Sequence, residues 1–265
     1  MPYYIYRQEF MITPRHSASF LPYLRNKPLH SSSPLTWLKA KNRKLCILVF
    51  YVFLLSCSEN TVSSFNNQVA GIDMSHHQKN VNWEKLSSNF ADSTFLYVKA
   101  TEGATYKDPK CLEYAAEARR NGFLVGCYHF FRMTSGAVEQ YRNFKSVLNK
   151  VGPDLIPMVD VEINDKRDEK ILQDSLQVLL DLLERDYGKK PMIYGTNYSY
   201  NRFCAPRFNK YPTYIGRYGQ EPPVMKGKGT YTIWQYTDTA TIAGSEKPID
   251  LCRFNKGKSV RDILL

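Results

Sequence analysis

Eight short β-rich runs recur between residues 69 and 254, and the stretches separating the earlier ones repeat apolar residues at helical spacing. The runs are "VAGIDMS", "FLYVKATEG", "FLVGCYHFF", "LIPMVDVE", "PMIYG", "TYIGRYG", "TIWQYT" and "PIDLCRF". Between them lie "NWEKLSSNF", "CLEYAAEARRNG", "AVEQYRNFKSVLNKVG" and "DEKILQDSLQVLLDLLERDYGKK". In the last, Ile171, Leu172, Leu176, Leu179, Leu180, Leu183 and Tyr187 follow one helical face, with Asp168 as N-cap and Gly188 as the stop. After "PMIYG" only a short helix around "SYNRFCA" is expected. Strands alternating with helices predict parallel pairing. Eight of them predict an α/β fold, an irregular TIM-like (β/α) barrel with degenerate last helices. No glycine-rich phosphate loop follows the first strand, which argues against a dinucleotide-binding fold.

In such barrels chemistry sits at the C-terminal ends of the strands. Polar residues at or near those ends are Asp73, Lys99, Glu102, Tyr128, His129, Asp160, Glu162, Tyr194, Arg217, Trp234, Gln235, Tyr236 and Asp250. Side chains alternate along a strand, so Met158, Asp160 and Glu162 share one face while Val159 and Val161 share the other. Two carboxylates roughly 6–7 Å apart in a partly desolvated pocket raise one another's pKa, so stability alone selects against the pair. Four acids, Asp73, Asp160, Glu162 and Asp250, are therefore expected to converge on one opening and to do chemistry there.

The successive motifs "GIDMSHHQKNVNW", "YVKATEGATYKDP", "GFLVGCYHFF", "MVDVE", "IWQYT" and "IDLCRF" resemble those of the glycoside hydrolase family 25 lysozymes, the Chalaropsis type, across nearly all of residues 70–256. The resemblance implies an N-acetylmuramidase that cleaves the β-1,4 bond from N-acetylmuramic acid to N-acetylglucosamine in peptidoglycan. It implies Glu162 as general acid, Asp160 as its partner, and Asp73 and Asp250 as further members of the acidic pocket. Asp160 would either orient and stabilise the substrate's 2-acetamido group as that group attacks, or activate water. Tyr128, Tyr194, Trp234 and Tyr236 are candidate sugar platforms, with Gln235 and Arg217 as further substrate-binding residues. Lys99 with Glu102 reads as a supporting ion pair, and His129 as a satisfied wall residue. His76 and His77, in the loop after the first strand, are left unassigned. Two positions depart from the family pattern in places expected to line the groove. Lys79 stands where a glycine is usual, and Tyr214 where a tryptophan is frequent. No metal or cofactor is expected. A chitinase-like barrel would also end its fourth strand in D-x-E, but with a longer acidic ladder than Pro157 and Val159 allow. A catalytically silent wall-binding lipoprotein would have lost Glu162.

The N-terminal part follows a different logic. Lys41, Arg43 and Lys44 precede eleven apolar residues, Leu45 to Leu55, which are too few to span a bilayer but suit an export signal. Leu54-Leu55-Ser56-Cys57 resembles a bacterial lipobox, so Cys57 is the expected lipid anchor. Residues 1–57 thus read as a basic preface plus signal, 58–69 as a tether and 70–265 as the catalytic barrel. The preface is long for a signal, and the true start is expected downstream. Export permits disulfides among Cys111, Cys127, Cys204 and Cys252, whose spacing does not suit zinc and does not select a pairing. Of the net charge of +11, the first 70 residues hold eight Lys/Arg against two acids and the remainder is mildly basic. That balance suits peptidoglycan glycan strands, and no nucleic-acid partner is expected. A monomer held at the membrane, periplasmic or on the cell surface, is the expected state.

Overall fold

The computed structural model describes residues 69–162 and 168–265, so the expectations for the preface, the signal and Cys57 lie outside the described residues. Nine strands form one sheet. They are β1 (Gly71–Met74), β2 (Phe95–Glu102), β3 (Tyr106–Lys107), β4 (Leu124–Phe130), β5 (Met158–Asp160), β6 (Met192–Thr196), β7 (Thr213–Gly216), β8 (Ile233–Ala240) and β9 (Ile249–Phe254). Helices α1 (Trp83–Ser87), α2 (Cys111–Arg120), α3 (Ala137–Val151), α4 (Glu169–Tyr187) and the single turn α5 (Asn197–Ser199) lie between them. Because β1 pairs with both β2 and β9, eight strands close into a barrel, and β3 is a two-residue flap on β2.

Around the barrel, β1, β2, β4, β5, β6, β7 and β8 pair in parallel, while the β3 flap runs antiparallel to β2. The eighth barrel strand, β9, corrects the parallel expectation, since it runs antiparallel to both neighbours. The reason is local. Ala240 and Ile249 are joined by residues 241–248, too short a span for the crossover that parallel neighbours require. Helices are likewise missing between β7 and β8, where an irregular loop makes the return.

Side chains of odd and even register separate into two cores. Phe95, Tyr97, Met158, Met192, Tyr214, Ile233 and Cys252 fill the barrel interior. Leu96, Val98, Val125, Val159, Ile193 and Leu251 face outward and pack beneath the helices, including Leu172, Leu176, Leu179, Leu180 and Leu183 of α4. Gly126 lacks a β-carbon because the Tyr97 ring occupies that space, and Tyr97 donates to Ile156 O across the interior (2.9 Å). α4 begins and ends as the sequence predicts. Asp168 caps the amides of Lys170 and Ile171, and Gly188 adopts φ 66°. Below the barrel, Ile263 is buried and Leu155 bridges Leu264, which stoppers the end opposite the strand C-termini. All four described cysteines are buried free thiols.

Lys79 closes the 3-10 turn His76–Gln78 with φ 58° and ψ −117°, a region that glycine enters freely and a β-carbon does not. The departure from the family pattern therefore carries strain, held in place by Tyr114, whose hydroxyl donates to Lys79 O. Replacement of Lys79 by glycine should raise the urea midpoint, adding about 1 kcal/mol of stability after the entropy of the more flexible unfolded chain is subtracted. A variant no more stable than the parent would show that this turn is relaxed.

Candidate active site

Thirteen residues enclose an open cavity of about 240 Å³ at the barrel's mouth, among them Asp73, Asp160, Glu162 and Asp250. β1 delivers Asp73 near its C-terminal end, and β5 delivers Asp160 as its last residue. Glu162 follows two residues beyond, still aimed at the cavity although the strand has ended. Asp250 is near the start of β9. It reaches the mouth because that strand runs backwards, which sets Asp250 directly opposite Asp73 in the register.

Burial dominates the electrostatics. Asp73 and Asp250 hydrogen-bond through their carboxyl groups, which requires that one of them hold a proton. The pKa of Asp250 is raised first by burial and then by the Asp73 charge, and that of Asp73 by burial. Asp73 Oδ2 also accepts from Tyr214 Oη (2.7 Å) and from Gln235 Nε2 (2.9 Å). Tyr194 Oη in turn donates to Gln235 Oε1 (2.8 Å). Asp160 is buried, and its pKa is pushed well up, by burial first and by the Glu162 charge second. Its Oδ1 has no hydrogen-bond partner among the described residues. Glu162, more open to solvent, is also shifted upward by burial and by the Asp73 charge, against the Tyr194 hydroxyl and the Lys99 charge. Among the described residues Lys99 is the only Lys or Arg lining the cavity, and it pairs with Glu102 (2.7 Å), which Arg132 also holds. Among the described residues no three His, Cys, Asp or Glu side chains are arranged to hold a metal ion.

The family model for glycosyl hydrolases family 25 matches residues 72–245. The chain belongs to that family. It is 28% identical to lysozyme M1 of Streptomyces globisporus, over 74% of this chain and 71% of that one. It is 29% identical to the N,O-diacetylmuramidase of Chalaropsis sp, over 69% of this chain and 94% of that one. Among solved structures, the family 25 glycosyl hydrolase from Bacillus anthracis superposes with TM-score 0.63 at 27% identity, covering 70% of this chain and 89% of its own. The family 25 lysozyme from Aspergillus fumigatus gives 0.61 at 29%, covering 71% and 94%.

Within this family 25 barrel, Tyr128, Tyr194 and Gln235 line the cavity with the four acids. Trp234, Tyr236 and Arg217 do not. Gln235 points inward, so its neighbour Trp234 points outward, where its ring lies 4.8 Å from the Arg253 guanidinium, which also covers Tyr236. Trp234 Nε1 donates to Arg217 O (2.6 Å), and the Arg217 guanidinium turns away to Pro222 O. Tyr214 lies wholly buried under the cavity and supports Asp73, so it does not line the groove. His129 is a wall residue, held between Thr101 Oγ1 (2.8 Å) and Gln140 Oε1 (3.0 Å), with a pKa lowered to about 4 chiefly by burial. His76 is clamped by Asp108 (2.7 Å), whereas His77, left unassigned from sequence, lines the cavity together with Ser75, Phe130 and Tyr218, none of which is a candidate from sequence. Tyr218 stands in an irregular loop where no periodicity marks its direction. Ser75 and His77 share the "DMSHHQ" segment with Asp73, the one signal that could have found them.

A carboxyl whose folded-state pKa lies above the ordinary 3.8 contributes stability that is complete below that pH and is lost as pH rises through the folded value. Asp250→Asn keeps a donor for Asp73 and removes the titration. The thermal midpoint of the variant relative to the parent should therefore climb as pH is raised from 5 to 9. A difference that stays flat with pH would mean that Asp73 and Asp250 share no proton.

Proposed function

We propose that this family 25 hydrolase is an N-acetylmuramidase that cuts the β-1,4 bond on the reducing side of N-acetylmuramic acid in peptidoglycan, with Glu162 as the general acid. The observation that carries this reading is the gathering of Glu162 and Asp160 on one open cavity, both with pKa values raised first by burial and then by a neighbouring carboxylate, Glu162 acting on Asp160 and Asp73 on Glu162. A carboxyl whose pKa is raised holds its proton longer as pH climbs, which is what a glycosidic oxygen needs from its proton donor.

The unpartnered Oδ1 of Asp160 supports a particular division of labour. Before substrate enters, Asp160 is the more deeply buried of the two acids and resists ionisation. A 2-acetamido N–H placed against Oδ1 supplies the missing hydrogen bond. Positive charge developing at the sugar then favours an ionised Asp160, which leaves the proton on Glu162. The acetamido oxygen closes on the anomeric carbon as Glu162 protonates the departing oxygen. Water, deprotonated by Glu162, opens the resulting ring, and configuration is retained. Tyr128 and Tyr194 offer ring faces to the sugar, and the Asp73–Asp250–Gln235–Tyr194 network fixes where the wall stands. Peptidoglycan lies outside the cytoplasm, which accords with an export signal at residues 41–57, and anchoring through a lipidated Cys57 would hold the barrel at the membrane.

Purified residues 69–265 should release glycan fragments with reducing muramic acid ends, read by mass spectrometry. Glu162→Gln should lower kcat by about 10³-fold while leaving glycan binding, and Asp160→Asn should lower it by at least about 10²-fold. Reducing N-acetylglucosamine ends would instead assign a chitinase-like specificity. Cys57→Ser should move the full chain from the membrane fraction to the soluble fraction.

A further inference from the structure

The end of the barrel away from the mouth holds a second depression, of about 430 Å³, that the reaction does not use. Lys189 and Lys190 reach it from the segment before β6, Lys210 from before β7, and Lys258 from after β9. All four are exposed. Lys256 and Arg261, also exposed, lie on the same segment as Lys258. Among the described residues a single acid lines the depression, Asp262, and it is engaged by Lys258 (3.2 Å). Lys189 Nζ rests on Leu264 O (2.9 Å) and Lys190 Nζ on Lys210 O (3.4 Å). Main-chain carbonyls orient these ammonium groups without neutralising them. Among the described residues, acids therefore collect at one end of the barrel, and at the other Lys189, Lys190 and Lys210 stand without a carboxylate partner while Lys258 shares Asp262.

Where the chain enters decides what those cations face. Val69 and Ala70 lead into β1 at the cationic end, with Ala70 N donating to Cys252 O (2.9 Å) and Ala70 O accepting from Phe95 N (3.2 Å). Residues 58–68 separate Val69 from Cys57, and a fully extended chain of that length reaches at most about 40 Å. We infer that the lysine-lined end of the barrel docks on an anionic phospholipid surface, so that the catalytic mouth is turned away from the bilayer and toward the glycan. The orientation rests on the Cys57 reading, whereas the affinity of the face for lipid phosphates does not. Each lysine near an anionic bilayer strengthens partition by about fivefold, and the attraction fades within a Debye length as salt is added.

Residues 69–265 close their own sheet around their own cores, and the solved relatives from Bacillus anthracis and Aspergillus fumigatus are matched over 89% and 94% of their length, so the barrel is tested without its anchor. Co-sedimentation is measured with vesicles of phosphatidylcholine, with and without phosphatidylglycerol, at low and high sodium chloride. Binding is expected only with phosphatidylglycerol, with release at high salt. Replacing Lys189, Lys190, Lys210 and Lys258 by Gln should weaken it by several hundredfold, to order of magnitude about 10²–10³. The thermal midpoint and hydrolysis of soluble glycan oligomers should stay at parental values. If the fourfold variant is poorly folded, Lys189→Gln with Lys190→Gln alone should still weaken binding by about 25-fold. Equal binding to both vesicle types, or binding untouched by these substitutions, overturns the inference. So does binding of a soluble polyglycerol phosphate with none to vesicles, which would assign the face to an anionic wall polymer. A barrel that binds vesicles but leaves peptidoglycan intact upholds the docking surface and removes only the muramidase reading.

Discussion

Asp73 and Asp250 face one another because β9 returns against β1, and a sheet of eight strands closes only if some strand occupies that place. Closure satisfies the backbone groups of both neighbours, a requirement too large to be given up for the comfort of two side chains. The acids are thereby forced into contact in a site that excludes most water. They accommodate by sharing a proton, and donors from Tyr214 and Gln235 complete the arrangement. Once Asp73 is fixed, Gln235 is fixed, and through it the Tyr194 hydroxyl beside Glu162. The positions of the remaining groups at the mouth follow from one strand pairing.

Such an arrangement works against stability. Burying a carboxyl costs several kcal/mol when it must ionise and less when it keeps its proton, so the fold tolerates the cluster by suppressing charge. The interior layer of Tyr97, Met158, Met192, Tyr214 and Ile233, with the leucine face of α4 outside, supplies the apolar burial that offsets it. The suppressed charge is also what gives the site its chemistry. A cavity that raises the pKa of its carboxyls favours an acid for the leaving group and disfavours its own anions, which a developing cation can then stabilise.

The four acids, the barrel class and the bounds of α4 were legible because each rests on a local rule. Spacing marks helices, a run of β-branched residues marks strands, and D-x-E at a strand end marks an anomaly. Direction and parity were harder. Only the eight-residue link between Ala240 and Ile249 betrays that β9 turns back, and it does so through a length too short for a crossover. Trp234 and Gln235 are adjacent and both look suited to a sugar site, yet alternation allows only one to face inward, and no local signal says which. Ile233, which fills the interior beside Met158 and Tyr214, settles it for Gln235 once a neighbour is placed. Tyr214 shows the same limit from another side. Its support of Asp73 depends on a contact 141 residues distant, which no window of sequence contains. The β3 flap is shorter than any periodic signal.

The stoppered interior has a topological consequence. With Tyr97, Met158 and Tyr214 packed beneath the acids and Ile263 sealing the far end, nothing can thread through the barrel axis. A polysaccharide must lie across the rim like a rope over a notch, entering and leaving sideways. An enzyme so built needs no free chain terminus to begin work, and it is suited to severing a cross-linked mesh at interior links, strand by strand.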